Sequence, residues 1–470
     1  MKIMRRFFDY FLLAFAGAGL GIYLFQSGHF EAILASVSND FIPARLYWRL
    51  FFYCFSGAVF ISAAAMILRR IAIYKHVDIY YANRIKYGFY SFLILFSTIL
   101  SVRYPGLRIF FQFLFVGVAG VCSAWIACHM NCQPKLNARR SIIFLGTAIC
   151  FYILFFSLLS IQRHKVFMTH ALDLGVFTQT LWGYSKGWNL INTVVFEPMY
   201  LLGDHFSPIT FLFVPFYWLW TDPRILLIIQ SVYLGLGAIP LYFISLKLCK
   251  NSWLSLAIAL TYLLFPGLHG INMADFHYIT LCTPLLFLLF LMNQTGNRNW
   301  FYILLILLLF IREDVSFHIF YFGLYLIIFT SNRLRGLIVS AMGIVWFYIV
   351  ISIFIPYFNS DNPRFHMEIY SHIGSNVPEM IGTMLFHPLK IIQFLAEDAG
   401  RRIIYILHLS MQMGFGYLFS LGSIFLILPS TLFNLFSNFP GQYTIKGQYT
   451  APVIPFLFIS SLYGFNRLAG

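Results

Sequence analysis

The stretch THALDLGVFTQTLW, residues 169–182, places an acid, Asp173, three residues after an imidazole, His170, within apolar and aromatic sequence. On a helix, steps of three and four residues would put Phe177 and Thr180 on the same face as this pair. The opposite face would be mostly apolar and would consist of Leu172, Val176 and Gln179. A carboxylate beside an imidazole on a rigid helix is the arrangement that a general base needs. The same edge also suits a bound cation, so both chemistries stay open.

Acidic residues are rare in this chain, which has only 16 Asp and Glu among its 470 residues. Five of them come from four separate segments that we place at one membrane boundary: Asp173, Asp204, Asp275, Glu313 and Asp314. A charge at membrane depth is costly, so it usually faces a cavity or a partner. We therefore predict one outward-facing cavity, lined by Asp173, His205, Asp275, His277 and Glu313 or Asp314.

Simpler roles stay open for some of these acids. Glu313 and Asp314 directly follow Arg312, so pairing with that arginine is the alternative to a shared site. Asp173 is, alternatively, a loop-helix acid that faces water. For a sixth acid, Asp222, we favour helix capping, with Pro223 at the first helical position.

The composition restricts the class of protein. The chain is 60% hydrophobic and only 10% charged, with a mean hydropathy of +0.79, whereas a soluble protein carries about a quarter charged residues. An all-α polytopic membrane protein is the class that fits. The net charge of +15 raises nucleic-acid binding as a possibility. Since the basic residues cluster between apolar runs, we instead interpret them as cytoplasmic loops and expect no nucleic-acid partner.

Apolar runs predict fourteen membrane helices, three of them short. They lie near 7–26, 48–68, 87–103, 107–128, 141–161, 224–246, 253–268, 276–293, 300–311, 315–330, 337–357, 403–413, 415–437 and 450–468. The basic loops put both termini inside and make 162–223 a large outer loop. Within it, 206–220 contains two prolines and ends among tryptophans, so we predict an interfacial helix there.

A polar break near 130–140 divides the chain into two predicted regions. Residues 1–140 would form an N-terminal region of four membrane helices that supplies no catalytic group. Residues 141–470 would form a membrane core of about ten helices, which carries the outer loop.

Several segments of the second region resemble, in order, an uncharacterised family of bacterial integral membrane proteins that is grouped with the GT-C glycosyltransferases. They are ALDLGVFTQTLW, GDHFSPITFLFVPFYWL, ADFHYITLCTPLL, REDVSFHIFYFGLYL, IYSHIGSNVPEMIGTMLFHP and LPSTLFNLFSN followed by GQYTAPVIPFLF. The resemblance covers about 141–468. It implies a GT-C-like core, a catalytic acid in the first long outer loop, and a sugar donor carried on polyprenyl phosphate.

The resemblance implies a site for each of these groups. Asp173 would be the catalytic base, and Arg312, Arg364 and Lys446 are candidate cations for the phosphate. The remaining candidate substrate-binding residues are His170, Gln179, Asp204, His205, Asp275, His277, Glu313, Asp314 and Tyr449. Where the family pattern has a His–Tyr pair in the last loop, this chain has Gln448–Tyr449, which weakens a catalytic role for position 448.

Sugar transfer at the outer face of a bacterial cytoplasmic membrane is therefore the leading hypothesis, with the bilayer and a lipid-linked sugar as partners. A transporter of a small ion or lipid-linked solute is the alternative, since buried acids also mark transport pathways. A non-enzymatic scaffold is the third. A divalent metal stays open and would need Asp173, Asp204, Glu313 and Asp314 to be brought together. The oligomeric state, the sugar and the acceptor also stay open.

Overall fold

The computed structural model describes residues 138–188, 191–195, 199–359, 368–410 and 413–469. All of them belong to a compact unit that comprises residues 131–470. The predicted N-terminal helices and the candidate cation Arg364 lie outside the described residues.

The described residues form helices and turns and no strand. The α-helices in chain order are α1 (Ala138–Lys165), α2 (Val176–Ser185), α3 (Leu201–Asp204), α4 (Val214–Leu219), α5 (Arg224–Leu236), α6 (Ala238–Cys249), α7 (Ser252–Leu263), α8 (Pro266–Met273), α9 (Cys282–Thr295), α10 (Arg298–Leu309), α11 (Val315–Phe329), α12 (Arg333–Ile349), α13 (Ile355–Phe358), α14 (Val377–Phe386), α15 (Pro388–Glu397), α16 (Ala399–Ser410), α17 (Leu421–Leu435) and α18 (Val453–Ala469). Two π-helical turns, Ala171–Gly175 and Val350–Phe354, precede α2 and α13.

Fewer helices qualify as spans than the ten predicted after residue 140. Among the described residues, four are long and apolar enough to cross a membrane: Ala138–Lys165, Arg224–Cys249, Tyr278–Thr295 and Arg333–Phe358. The pair α7 and α8, bent by 40°, would be a fifth if it is one span. The remaining apolar helices have at most 17 residues, and a 12-residue helix covers only about 18 Å of a core that is about 30 Å thick.

The predicted interfacial stretch 206–220 is also short. It forms a 3₁₀ turn, Pro208–Leu212, followed by α4, and this apolar segment is too short to count as a span. The helix after it begins at Arg224, one residue later than predicted, and the Asp222 carboxylate accepts the Arg224 backbone N–H at 2.9 Å. Asp222 therefore satisfies the first backbone N–H of this helix, although Pro223 and not Asp222 occupies the N-cap position.

One face of α1 is apolar and exposed, while the other packs into the core. Phe151, Leu154 and Leu158 are exposed, whereas Tyr152 and Phe156 are buried. An exposed apolar face of this length suits contact with lipid chains, whereas it would be unusual on a soluble protein.

A buried arginine ties α15 and α16 to the segment that follows α17. The Arg402 guanidinium donates hydrogen bonds to four backbone carbonyls, those of Phe394, Leu395, Leu435 and Ser437. It also lies over the rings of Phe394 and Tyr443, 4.3 and 4.9 Å from their centroids. This side chain therefore joins elements that are distant in sequence.

Helix ends from distant parts of the sequence meet at one end of the bundle, which we call the loop end. It comprises segments 163–173, 204–209, 273–277, 310–314 and 445–450. The Ile209 N–H donates to the Phe310 carbonyl at 3.0 Å, which joins two of these segments. The last segment packs against α8 at Gly270, where an added Cβ would overlap the Ile445 carbonyl oxygen. Close backbone packing of this kind requires glycine.

Candidate functional site

Asp173 lies at the loop end, and the imidazole that it bonds is that of His277 and not that of the neighbouring His170. Its Oδ1 is 3.1 Å from Nε2 of His277, which lies 104 residues later in the sequence. The Asp173 side chain is 37% exposed, whereas that of His277 is 9% exposed. The pair therefore combines an accessible carboxylate with a nearly buried imidazole.

The predicted polar edge on one helix is wrong in two respects. His170 precedes the helix in an extended conformation, and Asp173 lies in the π-helical turn Ala171–Gly175 before α2 begins. Thr180 is buried, with its hydroxyl bonded to the Val176 carbonyl. A long-range contact accompanies the extended conformation, because the His170 backbone N–H donates to Oδ2 of Asp275, 105 residues later, at 2.9 Å.

The charge of Asp173 is favoured by its neighbours. Burial disfavours the carboxylate, but the hydrogen bond from His277, together with the charges of His170 and Arg163, outweighs it and lowers the pKa of Asp173 below its ordinary 3.8. The carboxylate is therefore ionised at neutral pH and is an acceptor only.

His277 is held in place through both its backbone and its ring. Its N–H donates to Oε1 of the fully buried Gln230 at 3.0 Å. The Gln230 amide nitrogen bonds the Asp275 carbonyl at 2.5 Å, so this side chain fixes the turn on both sides of residue 276. The Phe177 ring, from α2, packs edge-on to the imidazole at 5.7 Å. Sequence reasoning missed Gln230, whose only signal is an amide within an apolar run.

The Asp275 carboxylate forms an ion pair with Arg163. Its Oδ1 lies 2.6 Å from Nη1 of Arg163, near the end of α1, and its side chain is 1% exposed. Its backbone is left-handed, with φ of +63°, a conformation that Asp and Asn adopt more readily than most residues. Both carboxylate oxygens of Asp275 are therefore engaged within the protein, and its substrate-binding role stays a prediction. Arg163 was not among the predicted site residues.

A second group of charges surrounds the turn at 312–314. Nδ1 of His205 lies 2.6 Å from Oε1 of Glu313, and the Phe206 backbone N–H donates to Oε2 at 3.1 Å. Arg312 and Asp314 form a bidentate pair with an Nε–Oδ1 distance of 2.7 Å. Of the two acids, Asp314 therefore pairs with Arg312, whereas Glu313 pairs with His205.

Replacing His205 by Asn is expected to remove a pH-dependent part of the stability. Burial opposes the imidazolium, but the Glu313 charge and hydrogen bond outweigh it and raise the pKa of His205 above its ordinary 6.5. The pair therefore stabilises the fold fully below pH 6.5 and loses this effect as pH rises through the raised value. The Asn amide retains a donor near Nδ1 without the charge. Thermal unfolding in detergent should show a wild-type advantage that shrinks with rising pH, and an advantage that grows with pH would contradict the charged pair.

Tyr449 connects the two groups of charges. Burial raises the pKa of its hydroxyl; the Arg312 charge opposes this effect, and the charges of Asp173 and Asp314 add to it. The hydroxyl thus lies within electrostatic range of both Asp173 and the Arg312–Asp314 pair. Lys446, three residues earlier in the same loop, is exposed. The last loop therefore brings a phenol and an accessible cation to the loop end.

Residues 163–470 match a protein family described as "Predicted membrane protein (DUF2079)". The chain belongs to this family. The DUF2079 segment begins at Arg163, at the end of α1, and contains every candidate site residue. Comparisons with curated proteins and with solved structures give no significant match.

Two further candidates in the DUF2079 segment have other placements. Both ends of the Gln179 amide bond Thr193, so this side chain holds the outer loop against α2. Asp204 is the last residue of α3, and its negative charge helps to raise the pKa of His205. Among the described residues, no group of three His, Cys, Asp or Glu side chains is arranged to hold a metal ion.

Proposed function

We propose that this membrane protein is a glycosyltransferase that moves a sugar from a polyprenyl-phosphate donor to an acceptor hydroxyl at the outer face of a bacterial cytoplasmic membrane. The observation that carries the proposal is Asp173, an ionised and partly exposed carboxylate held by His277 at the loop end. The GT-C-like sequence pattern supplies the substrate class.

Asp173 would act on the acceptor. The acceptor hydroxyl donates its proton to the Asp173 carboxylate, and its oxygen forms a bond to the anomeric carbon. The bond between that carbon and the phosphate oxygen breaks, and polyprenyl phosphate leaves with the electron pair. The carboxylate must lie within hydrogen-bond reach of the hydroxyl for this proton transfer, and a side chain that is 37% exposed meets the requirement of access.

The leaving phosphate requires positive charge near Asp173. We propose that Lys446 and Arg312 supply it, with the His205 imidazolium as a third cation. Arg312 lies within electrostatic range of Tyr449, which is itself in range of Asp173. Arg312 is already neutralised by Asp314, so the exposed Lys446 is the cation with the most charge to offer.

Binding of the donor tests the proposal without knowledge of the sugar. Purified protein in lipid nanodiscs is titrated with short-chain polyprenyl phosphate and, as a matched ligand, with the polyprenol that lacks the phosphate. Saturable binding of the phosphate alone is expected. Replacing Lys446 by Gln should weaken it, whereas replacing Lys250 by Gln, at a helix end outside the loop-end segments, should leave it unchanged.

Activity is measured next, with radiolabelled sugars on polyprenyl phosphate and membrane extract as acceptor in proteoliposomes. Release of polyprenyl phosphate together with labelled product supports transfer. Equal binding of phosphate and alcohol, with no transfer from any donor, would overturn the proposal. Movement of intact donor across sealed vesicles without sugar release would favour a transporter instead.

A further inference from the structure

The imidazole of His277 presents its two nitrogens to very different surroundings. Nε2 lies 3.1 Å from Oδ1 of Asp173. Nδ1 is buried and has no hydrogen-bond partner among the described residues. The ring cannot easily turn, because Gln230 holds the backbone N–H and Phe177 packs edge-on to the imidazole.

These surroundings determine where the ring proton lies. The Asp173 carboxylate only accepts hydrogen bonds, so Nε2 must carry the proton for the 3.1 Å contact to be a hydrogen bond. A second proton on Nδ1 would be a buried donor without an acceptor, which is unfavourable. The arrangement therefore favours the neutral ring with its proton on Nε2.

We infer that His277 is a positioning residue, a neutral Nε2–H donor that fixes the orientation of the Asp173 carboxylate and does not relay protons. Oδ1 is engaged by the ring, while Oδ2 has no hydrogen bond within the described part of the chain. The free oxygen is then the one that receives the acceptor proton. The catalytic part of this inference rests on the proposed function, whereas the tautomer does not.

Other titratable and charged groups face this pair and must be considered in any pH measurement. They are Arg163 on α1, His170 before the π-helical turn, Asp275 in the turn of His277 itself, and Tyr449 in the last loop. Arg163 is paired with Asp275. A change in pH dependence that appears on substitution of His277 alone is therefore assigned to the Asp173–His277 bond.

Three substitutions separate positioning from mere packing. The amide nitrogen of Gln reaches the position of Nε2, whereas that of Asn reaches the position of Nδ1. His277→Gln should therefore keep sugar transfer within about fivefold of wild type, whereas His277→Asn and His277→Ala should lower it by about 10–100-fold. Because the His277 bond favours the Asp173 anion, its loss should also move the acid limb of the rate profile to higher pH in the Asn and Ala variants only.

The tautomer is tested separately by ¹⁵N NMR of histidine-labelled protein, with the His277 signals assigned by their loss in His277→Gln. A protonated Nε2 and an unprotonated Nδ1 at neutral pH are expected. A doubly protonated ring, or a proton on Nδ1, would overturn the inference even if the protein transfers sugar. A Gln variant as impaired as the Ala variant, with equal melting temperatures, would likewise overturn it. The expected NMR result without any transfer would instead count against the proposed function.

Discussion

Replacing Asp173 by Asn is expected to lower the rate of sugar transfer by about 10²–10⁴-fold, or about 3–5 kcal/mol in the barrier. Asn keeps the shape of the side chain and can still accept a hydrogen bond from His277, but it cannot take up the acceptor proton. Donor binding and folding should therefore change little. The measurement is initial-rate transfer from labelled polyprenyl-phosphate sugar in proteoliposomes, together with the donor-binding titration.

The matched control for this experiment is Asp222→Asn, which makes the same substitution in the same outer loop. Asp222 accepts hydrogen bonds from the backbone N–H and the guanidinium of Arg224 at the start of α5, so its loss should affect stability by under about 2 kcal/mol and leave turnover unchanged. Near-equal rates for Asp173→Asn and wild type would assign Asp173 a structural role. The base would then have to be sought at Glu313, a carboxylate at the loop end that bonds the imidazole of His205.

Replacing Arg402 by Met should cause the largest loss of stability. The side chain is 5% exposed, and its removal leaves carbonyl oxygens around α15 and α17 without donors. Each unsatisfied buried group typically costs about 1–3 kcal/mol, so a total of about 3–5 kcal/mol is expected. In detergent this corresponds to a fall in Tm of at least about 6 °C.

The neighbouring residue provides the control. Arg401 has a side chain that is 66% exposed and lies 3.6 Å from Asp398, a contact typical of weak surface pairs. Arg401→Met should therefore change stability by no more than about 0.5 kcal/mol. An equal fall in Tm for both variants would contradict the role of Arg402 in joining α15 and α16 to the end of α17. It would point instead to a general effect of lost positive charge.

The rarity of acids in the sequence predicts candidate residues on several separate segments, and the structure brings some of them together in pairs at the loop end. All four members of the pairs Asp173–His277 and His205–Glu313 are candidates on sequence grounds. The pairing itself could not be predicted, because it depends on side-chain positions set by packing over more than 100 residues. Periodicity also assumed a regular α-helix at 169–182, and the π-helical turn changes that register.

Hydropathy was less informative about helix length. A run such as 300–311 is apolar whether it lies in lipid or inside a protein core, and α10 buries residues such as Leu305 and Leu308 completely. Arg163 is not predicted as a site residue, because a cation at the end of a long apolar helix usually marks only a water interface. Its role depends on Asp275, which composition and spacing do not connect to it.

The Arg163–Asp275 pair has a consequence for the biogenesis of the protein. Its two members are 112 residues apart, so at about 5–20 residues per second the ribosome adds Asp275 roughly 6–22 s after Arg163. During that interval the arginine has no carboxylate from this turn. The bond can form only if the later helices are inserted with their loop on the same side of the bilayer as the end of α1. A nascent chain in which an inverted or skipped helix leaves the two residues on opposite sides of the bilayer cannot form this ion pair.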